Sequence, residues 1–269
     1  MIDAIFQFIR TVFVTLVIVL LIALSAVIGI FGADAVLGPK AADFSNVTYR
    51  NDDGVELLAF FQQPTGPGPF PGVILAPDRR GLNAEVIRLA QWLAEDGYAV
   101  IVPDLYRGKG SATLPRELFL SETEPRDRML ADLNSAYTNL IRVPEVDIER
   151  IGLVGIGLGG SVALRYAVQN DRIKVIADAY GEGMTDADAL GRLGGPLLAV
   201  FGGHDPFILP EHIAQFEAAL KAADADYTLT IIPELGDDFL RLPDVAVIGR
   251  PANNAWDEIV AFLDATLQS

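Results

Sequence analysis

Ile151-Gly152-Leu153-Val154-Gly155-Ile156-Gly157-Leu158-Gly159-Gly160 is the stretch whose reading decides the fold. Ile151, Leu153 and Val154 form a short apolar run, the mark of a buried strand. Gly155 to Gly160 is a tight glycine turn, and Ser161 to Gln169 reads as a helix. Strand, sharp turn and helix make the layout of a nucleophile elbow, G-x-Nuc-x-G, where a strained turn lifts a Ser or Cys above a sheet. The position between Gly155 and Gly159 is Gly157, which has no side chain. The stretch argues for a fold and against ordinary covalent chemistry.

Outward from this turn the chain alternates. Upstream, Val47 to Arg50 and Val55 to Phe61 are strand-like and separated by Asn51-Asp52-Asp53-Gly54, a hairpin signal. Val73 to Ala76 is an apolar run between prolines, a buried parallel strand. Asn83 caps a helix reaching Asp96 and ending at Gly97. Tyr98 to Val102 is the next strand. A loop with Gly108 and Gly110 leads to a helix from Pro125 to Ile141, whose apolar stripe is core. Downstream, Ile173 to Ala177, Leu197 to Phe201 and Tyr227 to Ile232 are strands. Pro210 opens a helix to Ala222, and Asn253 or Asn254 caps the last one. Strands alternating with helices predict an α/β domain with a mostly parallel twisted sheet covered on both faces.

The N-terminus is of another kind. Thr11 to Ala33 are 23 residues without a charge. As a helix they span about 34 Å, enough to cross a bilayer core. A cleaved signal peptide is the rival reading, but signal apolar regions are only about 7–15 residues long. The expected organisation is a transmembrane anchor at 1–33, a linker at 34–44 and an α/β domain at 45–269. The nearest positive charge, Arg10, precedes the span, which predicts a single-pass protein with its N-terminus cytoplasmic and its domain outside. The expected partners are the lipid bilayer and an integral membrane complex met through the N-terminal helix.

Charge and composition exclude some functions. The chain has 20 Lys and Arg against 36 Asp and Glu, a net charge of −16. Such a surface repels nucleic acid. There is no Cys, so no disulfide, thiolate nucleophile or Cys metal site. The only histidines are His204 and His212, both read as surface or capping residues. No metal and no cofactor are expected.

Several stretches then point one way. Gly81-Leu82-Asn83 follows the third strand, and Pro103-Asp104-Leu105-Tyr106-Arg107 the fourth. Gly155-x-Gly157-x-Gly159-Gly160 forms the elbow. Gly202-Gly203-His204-Asp205-Pro206 follows a late strand, and Asp237-Asp238-Phe239 precedes the last helix. In order and spacing they resemble the dienelactone hydrolase family of the α/β-hydrolase fold, from about Val47 to Leu267. The resemblance places the nucleophile at Gly157, the acid at Asp205 and the base, a His in the family, at Asp237. It also makes Asp78, Arg79, Arg80, Arg107 and Arg241 candidate binding residues, each Arg having an ion pair within the protein as its plainer role. Ser161, one turn past the elbow, is expected to face a neighbouring helix.

A triad needs nucleophile, base and acid together, and here only the acid is kept. The leading expectation is a membrane-anchored, inactive relative that serves as a binding module or accessory subunit. The second is an active carboxylic-ester hydrolase using Ser161, or a water activated by Asp205 and Asp237. The third takes Gly155-x-Gly157-x-x-Gly160 as a dinucleotide fingerprint, with Asp178 as the ribose acid.

Overall fold

The computed structural model describes residues 2–111 and 113–269, with side chains from residue 5 onward except those of 30, 31 and 35. Its first element, α1 (Ile2–Leu37), is apolar on all sides. Within Ile5–Asp34 its most apolar 18-residue window has a mean hydropathy of 3.0, and none of that window is buried. It is the one helix among the described residues long and apolar enough to cross a membrane.

The domain is built on one eight-stranded sheet. Its strands are β1 (Val47–Arg50), β2 (Glu56–Gln62), β3 (Phe70–Ala76), β4 (Ala99–Pro103), β5 (Val146–Ile156), β6 (Ile173–Ala179), β7 (Leu197–Gly202) and β8 (Tyr227–Ile232). They lie in the order β1-β2-β4-β3-β5-β6-β7-β8. β1, β2 and β4 pair antiparallel, and everything from β4 to β8 is parallel. Between β3 and β5 the winding reverses, and in open α/β sheets ligands bind beyond the carboxyl ends of the strands at such a point.

Helices cover both faces, as a parallel sheet requires. One layer holds α2 (Ala84–Glu95) and α8 (Pro251–Leu267). The other holds α3 (Leu114–Thr123), α4 (Arg126–Leu140), α5 (Leu158–Ala167), α6 (Ala187–Leu190) and α7 (Pro210–Ala222). Alternation along β3 divides the core: Ile74 and Ala76 pack in the second layer, Val73 and Leu75 in the first.

Four local features differ from the sequence reading. The segment read as a linker is structured: α1 runs to Leu37, and Ala41–Asp43 forms a 3₁₀ turn with Ala41 buried. The loop before α4 contains α3, whose first turn carries Pro115, a residue suited to a helix start. The last helix starts at Pro251, and Asn253, already inside it, accepts instead from the Gly249 N–H. β5 begins five residues before Ile151, because its charged first half lies at the rim of the sheet. Asn83 caps α2 as read, its side chain accepting from the Glu85 and Val86 amides at 2.8 and 3.2 Å.

Candidate functional site

The elbow is a close fit of backbone to backbone. A methyl group on Gly155 would lie 2.4 Å from the Gly160 Cα, and one on Gly159 would lie 2.1 Å from the Ala76 carbonyl oxygen. Only glycine allows α5 to start so close to the ends of β3 and β5. Gly157 sits at the apex with φ 54° and ψ −115°, a conformation in which a side chain is strained. Its N–H donates to the Ala179 carbonyl at 2.8 Å.

The ring of Tyr180, from the end of β6, lies over this apex. A Cβ on Gly157 would meet Tyr180 Cε2 at 3.1 Å and Cδ2 at 3.3 Å. Tyr180 itself has φ 46° and stacks edge-on against Phe239 at 4.6 Å. It is 4% exposed, and its hydroxyl has no hydrogen-bond partner. Burial, with Asp78 and Asp238 nearby, pushes that hydroxyl well above its usual range, so it stays protonated. The apex, which the resemblance makes the nucleophile position, is therefore crowded by an aromatic ring as well as bare.

Asp237, to which the resemblance gives the base position, is engaged by a guanidinium. Arg79, on the loop after β3, donates to Asp237 at 2.9 Å and lies 3.8 Å from Asp238 and 3.6 Å from Glu117. Beside it, Arg80 grips Asp78 through Nε and a terminal nitrogen at 2.9 and 2.5 Å, binds Asp238 at 2.9 Å and contacts Glu85. Arg241 closes the cluster from Asp238 at 3.3 Å and Glu85 at 3.7 Å. Two loops far apart in sequence, after β3 and after β8, are thus tied by charge-assisted bonds. Asp78, Glu85, Glu117, Asp237 and Asp238 outnumber the three guanidiniums. Burial and the neighbouring Asp78 push Asp238 up to about 7, against the pull of Arg80, Arg79 and Arg241.

Asp205, to which the resemblance gives the acid position, lies on the loop after β7. One carboxylate oxygen accepts from the Phe207 and Ile208 amides at 2.7 and 3.0 Å; the other is buried without a partner. Burial raises its pKa. An acid in a triad spends that second oxygen on its base. Here Asp237 faces Arg79 instead, and Asp205 is left without the group it would orient.

Between these loops lies a cleft of about 150 Å³. Gly157, Leu158 and Tyr180 form its floor, Arg79 and Asp237 one wall, and Leu118 with Phe207 its apolar rim. Ser161 also lines it, a correction to the helix-facing expectation. Its Oγ accepts from the Glu182 N–H at 3.0 Å. That places a hydroxyl in the cleft, with no histidine beside it to take its proton: His204 and His212 are both exposed, and neither lines the cleft.

The remaining candidates part company. Asp78, Arg79, Arg80 and Arg241 gather in the cluster. Arg107 does not; it forms a two-pronged pair with the buried Asp132, both contacts at 2.8 Å. Among the described residues no group of three or more His, Asp or Glu is arranged to hold a metal ion. The dinucleotide reading fails on Asp178. That residue is fully buried, one oxygen taking the Gly181 N–H at 2.9 Å, and it touches the elbow where a ribose would have to enter. Tyr180 is the residue sequence reasoning missed; Ser161 is the nucleophile of the second expectation, but its facing was misjudged. Tyr180 carries no motif, while Ser161 had a signal: it lies one helical turn after the elbow apex, on the side that faces back to it.

Comparison with known proteins agrees with this architecture. A family model described as "Dienelactone hydrolase family" matches residues 57–267. A provisionally named carboxymethylenebutenolidase of Yersinia pestis is 30% identical over 222 residues, covering 77% of this chain and 83% of that protein. Among solved structures, a provisionally assigned dienelactone hydrolase from Klebsiella pneumoniae superposes with a TM-score of 0.70 at 24% identity, over 81% of this chain and 99% of that one. A dienelactone hydrolase-like promiscuous phosphotriesterase, P91, from metagenomic libraries gives 0.71 at 20% identity, over 82% and 97%. The two structures speak to the fold.

Proposed function

The chain belongs to the dienelactone hydrolase family, and from that premise we propose that it is a membrane-tethered member that has given up covalent ester hydrolysis and retains its cleft for binding, as a binding module or accessory subunit of a membrane complex. The observation that carries this reading is the elbow: Gly157 has no nucleophile, and the Tyr180 ring crowds the place of a side chain there, 3.1 Å from where its Cβ would be. The Arg79–Asp237 pair supports it, because the carboxylate standing where the family has a His is already engaged by a guanidinium. The anchor is α1, with the N-terminus on the cytoplasmic side and the domain outside.

The test is turnover of p-nitrophenyl acetate by the full chain in mild detergent, together with labelling by a fluorophosphonate. The expected result is hydrolysis at the rate of the uncatalysed reaction and no labelled residue. Stoichiometric labelling of Ser161 would overturn the reading.

A second reading is hydrolysis by a water held at Asp205. It is favoured by the free oxygen of that residue and by the hydrolase name of the Yersinia pestis relative. It requires turnover that is lost on Asp205→Asn with no covalent intermediate at any stage.

A further inference from the structure

The junction between α1 and the domain is built rather than loose. Asp34, the residue directly after the uncharged run 11–33, is 5% exposed. Its carboxylate accepts from the Ser111 and Thr113 hydroxyls at 3.0 and 2.7 Å. Just beyond, Gly110 lies so close to the Pro39 carbonyl that a methyl group there would sit 2.0 Å from its oxygen. Ala41 then enters the core. The apolar helix therefore leaves the domain at a fixed point, directly beside the first turn of α3.

α3 joins that point to the cleft. Leu114, Leu118 and Glu122 recur every four residues and so share one helical face. Leu114, next to Thr113, is 53% exposed, while Leu118 and Glu122 line the cleft. From Leu114 to Glu122 is about 12 Å along the helix axis. Across the cleft mouth stands Phe207, 58% exposed, on the loop after β7. Exposed apolar side chains thus run from the exit of α1 to both rims of the cleft.

Resting on the reading of α1 as a membrane span, the geometry points to a second membrane contact: α3 and the Phe207 loop lie in the headgroup–acyl boundary of the bilayer that α1 crosses, so that the cleft opens onto the membrane surface and takes a ligand that partitions there. The bilayer is the fitting occupant for three reasons. The headgroup layer adds only about 5–8 Å beyond each side of the hydrocarbon core, and Asp34 lies within one helical turn of the apolar run. The built junction holds α3 at that level. Leucine and phenylalanine beside a span are the side chains an interfacial segment inserts, to a depth of about 5–10 Å. The cleft is matched to an amphiphile, with apolar rims and the Arg79–Asp237 pair deeper in.

The absence of cysteine allows a direct test. Single-cysteine variants of the full chain, Leu114→Cys, Phe207→Cys, Val19→Cys and Asp171→Cys, are labelled with bimane. Each is reconstituted into phosphatidylcholine vesicles containing 5-doxyl or 12-doxyl phosphatidylcholine. Asp171 lies at the amino end of β6, on the far side of the sheet from the cleft. The expected result is quenching of the Leu114 and Phe207 labels by about twofold or more with the shallow quencher, as burial at the acyl boundary requires. Val19 is quenched by the deep quencher and Asp171 by neither. If Val19 is quenched while Leu114 and Phe207 behave like Asp171, the second contact is refuted and the tether stands. If Val19 is unquenched by both lipids, the tether reading falls and this inference with it. The labelled side chains other than Val19 are at the domain surface, and matched thermal melts establish that each variant is folded.

Discussion

Gly157 is fixed by its surroundings as well as by its own backbone. Its φ is 54°, and a methyl group added there would lie 3.1 Å from Tyr180 Cε2, so a Gly157→Ala substitution meets strain and crowding together. It should cost about 1–3 kcal/mol in urea unfolding. Gly157→Cys should likewise fail to gain esterase activity, because Asp237 remains bound to Arg79. A second residue gives a pH signature. Burial pushes Asp178 up to about 7, and its second oxygen has no partner. In the unfolded chain it ionises near its ordinary value, so between about pH 4 and 7 the folded state holds a proton that the unfolded state has lost. Its contribution is complete below pH 4 and is lost as pH rises through 7. Asp238, also at about 7, acts in the same direction. Asp178→Asn should therefore flatten the fall in stability between pH 4 and 8, improving on the unsubstituted chain at high pH by on the order of 2–4 kcal/mol relative to low pH. Parallel urea titrations at the two ends would show it, and an unchanged slope would refute the shift. At this scale the sequence was legible where spacing fixes identity, as at Gly157 and Asp237. It was silent about Tyr180, whose ring reaches the apex only because β6 lies beside β5.

At the scale of elements, most strands and helices follow from periodicity, and the failures have local causes. α3 was hidden because its exposed leucines and phenylalanine blur the stripe that marks a core helix. The start of α8 was misplaced because Asn253 is a good capping residue in the wrong register, while Pro251 held the actual position. The pairing of loops was half legible: an ion pair within the protein was the plainer role read for each Arg, yet which guanidinium meets which acid depends on how the loops after β3 and β8 converge. Arg80 is the central tie, at 12% side-chain exposure, touching Asp78, Glu85 and Asp238. Removing it leaves buried carboxylates uncompensated. Arg80→Met should cost about 3–5 kcal/mol. Arg241, 52% exposed, touches two of the same acids, and Arg241→Met should cost about 1 kcal/mol or less. Chemical denaturation of the two variants side by side checks the ranking; equal losses would mean that the loops are held by something other than Arg80.

For the whole molecule, the decisive question is how an apolar helix of 36 residues, about 54 Å long, is joined to a strongly acidic domain. Composition showed that the two parts exist, since the charge is confined to one of them. It could not show the joint, because Gly38-Pro39 reads as a break and the partners of Asp34 lie some eighty residues away on the loop before α3. Among the described residues the joint includes two hydroxyls on one carboxylate and the backbone contact of Gly110 with Pro39. Asp34→Ala removes the acceptor of both hydroxyls; Ser111 keeps the Thr113 carbonyl at 3.0 Å, and the Thr113 hydroxyl is left to find another partner. A hydrogen bond to a charged group contributes about 1.5–3 kcal/mol, and this loss falls on the joint alone. The sheet and both core layers are untouched, so the melting temperature of the domain should stay as it was. What changes is access to the chain between Leu37 and Ala41. In vesicles, trypsin should cut the variant after Lys40 at least about tenfold faster than the unsubstituted chain, as loss of about 1.4 kcal/mol or more from a local opening equilibrium demands. The domain severed from α1 should remain intact. Cleavage at equal rates in both would mean that Asp34 does not hold the helix to the domain.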